Sequence, residues 1–279
     1  METHDYSQMW EKFGQTKAES YLSYKFQPTH RIGLTNYLRE KALVELLDPK
    51  IQDIVLDVGC AAGRQLLEIS NRIAQGVGTD ISIAFIEKAD TRAKEVGVTN
   101  LSFRQSKAEE LPFPERFFDK VICAEVLEHV FKKDSALNEI KRVLKPGGYL
   151  IITVPNLNAD GTLWGRLLRV LKFRSFQPLE QFSAEELAKH GDAHVREFSH
   201  KSLVSWLESN GFHVEGWRSV SFIDGPGFDF LLKIPLHWKP TQSLIIGMEK
   251  ILSKTGLPWG RHLAVRAKLD FSPQNLQTS

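Results

Sequence analysis

The stretch VLDVGCAAGR over residues 55–64, followed by an acid at Asp80, constrains this chain more than any other feature. Val55, Leu56 and Val58 form a short apolar run interrupted by Asp57, the pattern of a buried strand. Gly59, Cys60, Ala61, Ala62 and Gly63 then let the backbone turn sharply beside a ligand and start a helix. Residues 76–80 read as a second strand that ends in the Asp80 carboxylate. Backbone amides at a helix start, next to an acid at the following strand end, suit an adenosine-containing cofactor. The loop lacks the G-x-G-x-x-G spacing that would cradle a pyrophosphate, which argues against a dinucleotide.

Strands and helices continue to alternate. Residues 81–96 form a helix with Ile83, Ile86, Ala89 and Ala93 at helical spacing, and residues 118–123 a further strand. A helix over 134–145 aligns Ala136, Leu137, Ile140, Val143 and Leu144, and Pro146, Gly147 and Gly148 end it before a strand over 149–154. A helix over 201–210 stops at Gly211, and strands follow over 212–220 and 262–269. That order, at 279 residues with 42% hydrophobic content, predicts one doubly wound α/β domain with insertions.

The loop over 55–64 resembles motif I of the class I S-adenosylmethionine-dependent methyltransferases, in which a glycine-rich turn supports the methionine part of the cofactor. Ala61 stands where relatives commonly carry the middle glycine. The LKPGGYLIITVPN stretch from Leu144 also resembles that family, and the likeness covers most of 43–216. It implies a Rossmann-like seven-stranded sheet, mostly parallel with an antiparallel last strand, plus helical cap insertions. Asp80 is then the acid that accepts hydrogen bonds from both ribose hydroxyls, whereas its bland reading is a helix N-cap beside Ser82. The aspartate that usually meets the adenine amino group is replaced by Lys107, which cannot accept a hydrogen bond. Adenine contacts therefore pass to the Ala108 backbone, to Glu109 or to apolar packing, against a reading of Glu109 and Glu110 as a solvated helix start. The expected cofactor-binding residues are Asp57, Gly59, Cys60, Ala61, Gly63, Asp80, Ile81, Ala108, Glu109 and Ala124.

The segment from Ala124 to Val130 follows a strand end, where open parallel sheets bind ligands. One helical turn after Glu125 would put Glu128 and His129 on its face at three- and four-residue spacing. This Glu-x-x-Glu-His run resembles that of ubiquinone-pathway O-methyltransferases and of terminal small-RNA 2′-O-methyltransferases, where a divalent ion is assigned. His194 resembles a further ligand of the RNA group. Glu125, Glu128, His129 and His194 would be the ligands of such an ion. The favoured reading has no metal. His129 is then a general base, a substrate hydrogen-bond partner or a packed histidine; it is the first candidate for deprotonating an acceptor hydroxyl, oriented by Glu125 or Glu128, because imidazole titrates near neutral pH.

A formal charge of +2 is too small to imply nucleic-acid binding by itself. The polar start METHDYSQMW is no signal peptide, and no apolar run is long enough to span a bilayer. These features, with two cysteines read as reduced thiols, predict a cytoplasmic protein. A helical lid is expected over 1–42, ahead of the catalytic domain over 43–279, with Arg31 either facing the cofactor carboxylate or lying on the surface. Two insertions should set the substrate. The one over 156–199 contains a cationic amphipathic helix with Leu163, Trp164, Leu167 and Arg166, and the one over 222–260 is rich in aromatic residues such as Phe228, Phe230, Trp238 and Trp259. Either packs against the sheet, encloses a hydrophobic acceptor or touches a membrane periphery. The expected activity is methyl transfer to a small-molecule or lipid-like acceptor at oxygen. The competing readings are a metal-dependent RNA 2′-O-methyltransferase, a nicotinamide-dependent oxidoreductase and a non-catalytic regulatory module on the same fold.

Overall fold

A computed structural model describes residues 7–23, 31–157, 198–222 and 238–270. Two helices lead the chain, α1 (Ser7–Ser23) and α2 (Arg31–Leu47). The sheet then opens with β1 (Ile54–Val58), α3 (Arg64–Ile69), β2 (Gln75–Asp80), α4 (Ile83–Glu95), β3 (Leu101–Gln105) and β4 (Phe118–Ala124). It closes with α5 (Lys133–Val143), β5 (Leu144–Pro155), α6 (His200–Ser209), β6 (Phe212–Val220), α7 (Lys239–Leu252) and β7 (His262–Leu269). The seven strands lie in the order β3-β2-β1-β4-β5-β7-β6. Strands β1 to β5 pair in parallel, while β7 runs antiparallel to both β5 and β6.

Side-chain alternation along each strand divides the core into two layers. Leu56, Val58, Val121, Leu150 and Ile152 face α5 and α6 with Leu137, Ile140, Leu203 and Leu207. Val55, Ile122, Ile151 and Ala264 face α2 and α3 with Leu43, Leu47, Leu66 and Ile69. Covering on both faces is why the central strands read as apolar runs rather than alternating ones. One charged pair is embedded below this core. Lys120 Nζ lies 2.7 Å from Asp53 Oδ2 and donates to the Asp48 carbonyl at 2.6 Å, with both side chains less than a tenth exposed.

The helix expected over 134–145 ends earlier, at Val143. The amides of Arg116 and Phe117 donate to the carbonyls of Arg142 and Val143, so the chain leading into β4 satisfies the last helical turn. Leu144 is already extended and pairs with Phe118, and the Pro146-Gly147-Gly148 run lies inside β5 with Gly147 at φ 74°. Among the described residues, no helix is long and apolar enough to cross a membrane.

The order of strands reverses beside β1, between β2 and β4. In open parallel sheets the ligand crevice lies there, past the C-terminal ends of the strands.

Candidate active site

The loop after β1 is held by its own backbone. The amides of Gly59 and Cys60 donate to the Thr79 carbonyl at 2.7 and 2.8 Å, joining the ends of β1 and β2. Gly63 takes φ 73° at the start of α3, a left-handed conformation that suits glycine. Arg92 closes the far side by donating to the Ala62 carbonyl at 3.0 Å. Cys60 is buried, and burial pushes its thiol well above its usual range, so it behaves as a packed, unreactive group.

Asp80 ends β2 with both oxygens engaged. Oδ2 accepts from the Ala61 amide and Oδ1 from the Ser82 amide, each at 2.9 Å. The N-cap of α4 is Ser82, so Asp80 is not itself the cap. Desolvation in the crevice pushes its carboxyl up to about 6, against the pull of those amides. Asp57 lies beneath the loop, 1% exposed, and its Oδ2 has no hydrogen-bond partner. Burial and the neighbouring Asp80 charge raise its carboxyl well above the ordinary range. A buried acceptor without a partner is costly, and a ligand carrying N–H donors would satisfy it.

The third wall is a turn after β3. The Ser106 amide donates to the Asp80 carbonyl at 2.9 Å, and the Ser106 hydroxyl donates to the Glu110 carbonyl at 2.7 Å. Ala108 and Glu109 are half-buried in this turn and Lys107 is exposed. The helix start weighed for Glu109 and Glu110 is thus a tight turn. Gln105 reaches across to the Ile81 carbonyl at 2.9 Å.

The turn after β4 departs from the expected helix. Glu125 takes φ 56°, and its amide donates to the Thr153 carbonyl at 2.8 Å, so the chain bends instead of winding. Leu127 to His129 form a single turn closed by the His129 amide on the Val126 carbonyl at 2.9 Å. Glu125 accordingly points away from a shared helical face. It accepts from the Thr153 hydroxyl at 2.9 Å and pairs with Arg39 at 3.1 Å and His262 at 3.4 Å. Glu128 is fully buried, neither of its oxygens has a hydrogen-bond partner, and Oε1 lies 3.9 Å from His129 Nε2. Burial first, then the Glu125 charge, raises the Glu128 carboxyl well above its usual range.

The Arg39 guanidinium supplies a cation beside Glu125. Among the described residues, no three His, Cys, Asp or Glu side chains are grouped to hold a metal. His194 lies outside the described residues, as does most of the 156–199 insertion, and so does the Arg31 side chain.

The two halves of the site touch directly. Gly59 leaves room for Val126, and a Cβ on this glycine would collide with that side chain, so the Glu125 turn rests on the loop after β1. Over both lies α1. Its Trp10 ring meets the His129 imidazole edge-on at 4.8 Å, and Phe13 and Ala18 pack with Ala61, Ala62 and Phe85. Glu11 accepts from the Ile83 amide at 2.8 Å, at the start of α4. Arg39, Glu11, Thr153 and His262 join the site without any sequence motif that marks them. Arg39, Thr153 and His262 lie more than a hundred residues from one another, and no local motif links them.

Residues 50–208, more than half of the chain, match a protein family described as "Methyltransferase domain". The ubiquinone biosynthesis O-methyltransferase of Alkalilimnicola ehrlichii (strain ATCC BAA-1101 / DSM 17681 / MLHE-1) is 38% identical over 114 residues, covering 40% of this chain and 46% of that protein. The ubiquinone/menaquinone biosynthesis C-methyltransferase UbiE of Pseudomonas savastanoi pv. phaseolicola (strain 1448A / Race 6) is 35% identical over 124 residues, covering 43% and 48%. The chain thus spans slightly under half the length of these curated relatives. Among solved structures, the YcgJ protein of Bacillus subtilis superposes with a TM-score of 0.54 at 19% identity, over 84% of this chain and all but 1% of that one. That likeness concerns the fold.

Proposed function

Because the chain belongs to this methyltransferase-domain family, we propose that it transfers a methyl group from S-adenosylmethionine to the oxygen of a small-molecule or lipid-like acceptor. The donor, when bound, supplies a methyl group already activated by its sulfonium. The protein has then to grip the donor, align an acceptor lone pair with the carbon–sulfur bond and keep water out.

The residues present fit that donor. Asp57 offers its unpartnered oxygen to the methionine amino group, beneath the turn formed by Gly59, Cys60, Ala61 and Gly63. Asp80 takes the ribose hydroxyls, its two oxygens already braced by the Ala61 and Ser82 amides. The half-buried turn at Ala108 and Glu109 borders the adenine, with Ile81 and Ala124 lining the crevice. Helix α1 acts as a lid over the loop.

The observation that carries the oxygen acceptor is the seating of the Glu125–His129 turn on the donor loop through Val126 and Gly59. His129 there takes the hydroxyl proton as the new carbon–oxygen bond forms and the carbon–sulfur bond breaks. Glu128 lies beside it, with Oε1 3.9 Å from Nε2, and Glu125 is the positioning group that ties the turn to α2 and β7. Relatives named for ubiquinone biosynthesis as both O- and C-methyltransferases support a hydrophobic ring-bearing acceptor; the histidine favours oxygen over carbon.

His129→Ala tests this reading. Methyl transfer to a panel of phenolic acceptors should fall about 10²- to 10⁴-fold while calorimetric binding of S-adenosylhomocysteine stays unchanged. Full turnover in that variant removes the base.

A further inference from the structure

Helix α7 and the chain after it present an outward face that the donor site does not use. The inner face of α7 is settled by Thr241, Ile245 and Glu249, one helical turn apart and all buried. Ile245 packs with Leu34 and Leu38 of α2. On the outside, Leu244 is 63% exposed and Ile251 70%, and open space surrounds Gly247 between them. Trp238 at the helix start and Trp259 past its end are also exposed.

The charges on this face have one sign. Lys239, Lys250 and Lys254 are exposed, and the single carboxylate between residues 238 and 261, Glu249, is buried. On a protein whose formal charge is only +2, this is a local concentration of cations around an apolar stripe. We propose that this face docks the protein on the surface of an anionic lipid bilayer. Leucine, isoleucine and tryptophan enter the headgroup boundary while the lysines meet lipid phosphates, the arrangement of an interfacial amphipathic helix. A second copy of the chain fits this face poorly, because a two-fold contact would set its lysines against their own counterparts. In this pose α7 lies between the bilayer and α2, against which its inner face packs through Ile245. The inference concerns lipid binding alone, so its failure would leave the methyl-transfer reading standing.

Cosedimentation of the full chain with phosphatidylcholine vesicles, with and without phosphatidylglycerol, tests it. The protein should pellet with the anionic vesicles. Partitioning should fall at least about tenfold on pure phosphatidylcholine, in Leu244→Ser/Ile251→Ser, and in Lys239→Glu/Lys250→Glu. Circular dichroism should show both variants folded. Failure of the wild-type chain to pellet, or pelleting that neither double variant weakens, overturns the proposal. So does a wild-type dimer by light scattering that Leu244→Ser/Ile251→Ser dissociates.

Discussion

Ala61 holds a methyl group at φ 44°, in the left-handed region where a side chain is strained by roughly 1–2 kcal/mol. Ala61 packs against the apolar cluster of Ala18 from α1, Ala62 and Phe85. The methyl that stands in place of the expected glycine thus lies against a cluster that includes α1. Asp80 carries the clearest consequence for pH. Its carboxyl rises from 3.8 to about 6 on folding, so its contribution to stability is complete below 3.8 and is lost as pH rises through about 6. Donor binding has the opposite sign, because ribose hydroxyls donate to the ionised carboxylate. Affinity for S-adenosylhomocysteine should level off above pH 6 and weaken below it, by up to about tenfold per pH unit. Calorimetric titration across pH 5 to 8 checks this, and a flat profile would show that Asp80 does not meet the donor as an anion.

At the scale of elements, the alternation of strands and helices was legible because each central strand is covered on both faces and each helix keeps an apolar stripe. Two local shapes were not. The helix before β5 stops at Val143 because the amides of Arg116 and Phe117 take its last carbonyls, and these donors lie 26 residues back in the sequence. The turn after β4 bends at Glu125 because Thr153, from the neighbouring strand, takes both its backbone and its side chain. Spacing of three and four residues implies a shared face only if the chain is helical, and here tertiary hydrogen bonds decide otherwise. Strands β1 and β4 are also tied below the crevice by the buried Asp53–Lys120 pair. Asp53→Ala leaves that ammonium buried without its partner and should lower stability by about 3–5 kcal/mol, read as a fall in the urea midpoint. Asp53→Leu/Lys120→Met should lose less, since neither charge then remains to be desolvated.

Across the whole molecule, one half of the proposed site lies close together in sequence and the other is assembled from distant segments. The donor half is local: Asp57, Gly59, Ala61 and Asp80 fall within 24 residues, and their order carries the signal. The acceptor half is assembled by the sheet order, which brings β4, β5 and β7 side by side and delivers Thr153 and His262 to Glu125, while α2 delivers Arg39. No pattern in the sequence relates positions 39, 125, 153 and 262, because their proximity depends on β7 entering the sheet between β5 and β6. Helix α1 falls within the segment expected as a helical lid, and its contacts with His129 and Ile83 follow only from where it lies.

In the function proposed, the crevice beyond β1 and β2 grips a methyl-donating nucleoside through the loop at Ala61 and the Asp80 carboxylate. Isothermal titration of the folded protein with S-adenosylhomocysteine tests it most directly. A saturable single-site heat is expected, with an affinity that Asp80→Ala weakens by at least about tenfold through the loss of hydrogen bonds to a charged acceptor. No heat from the folded wild-type chain, or equal affinity in the variant, would contradict it.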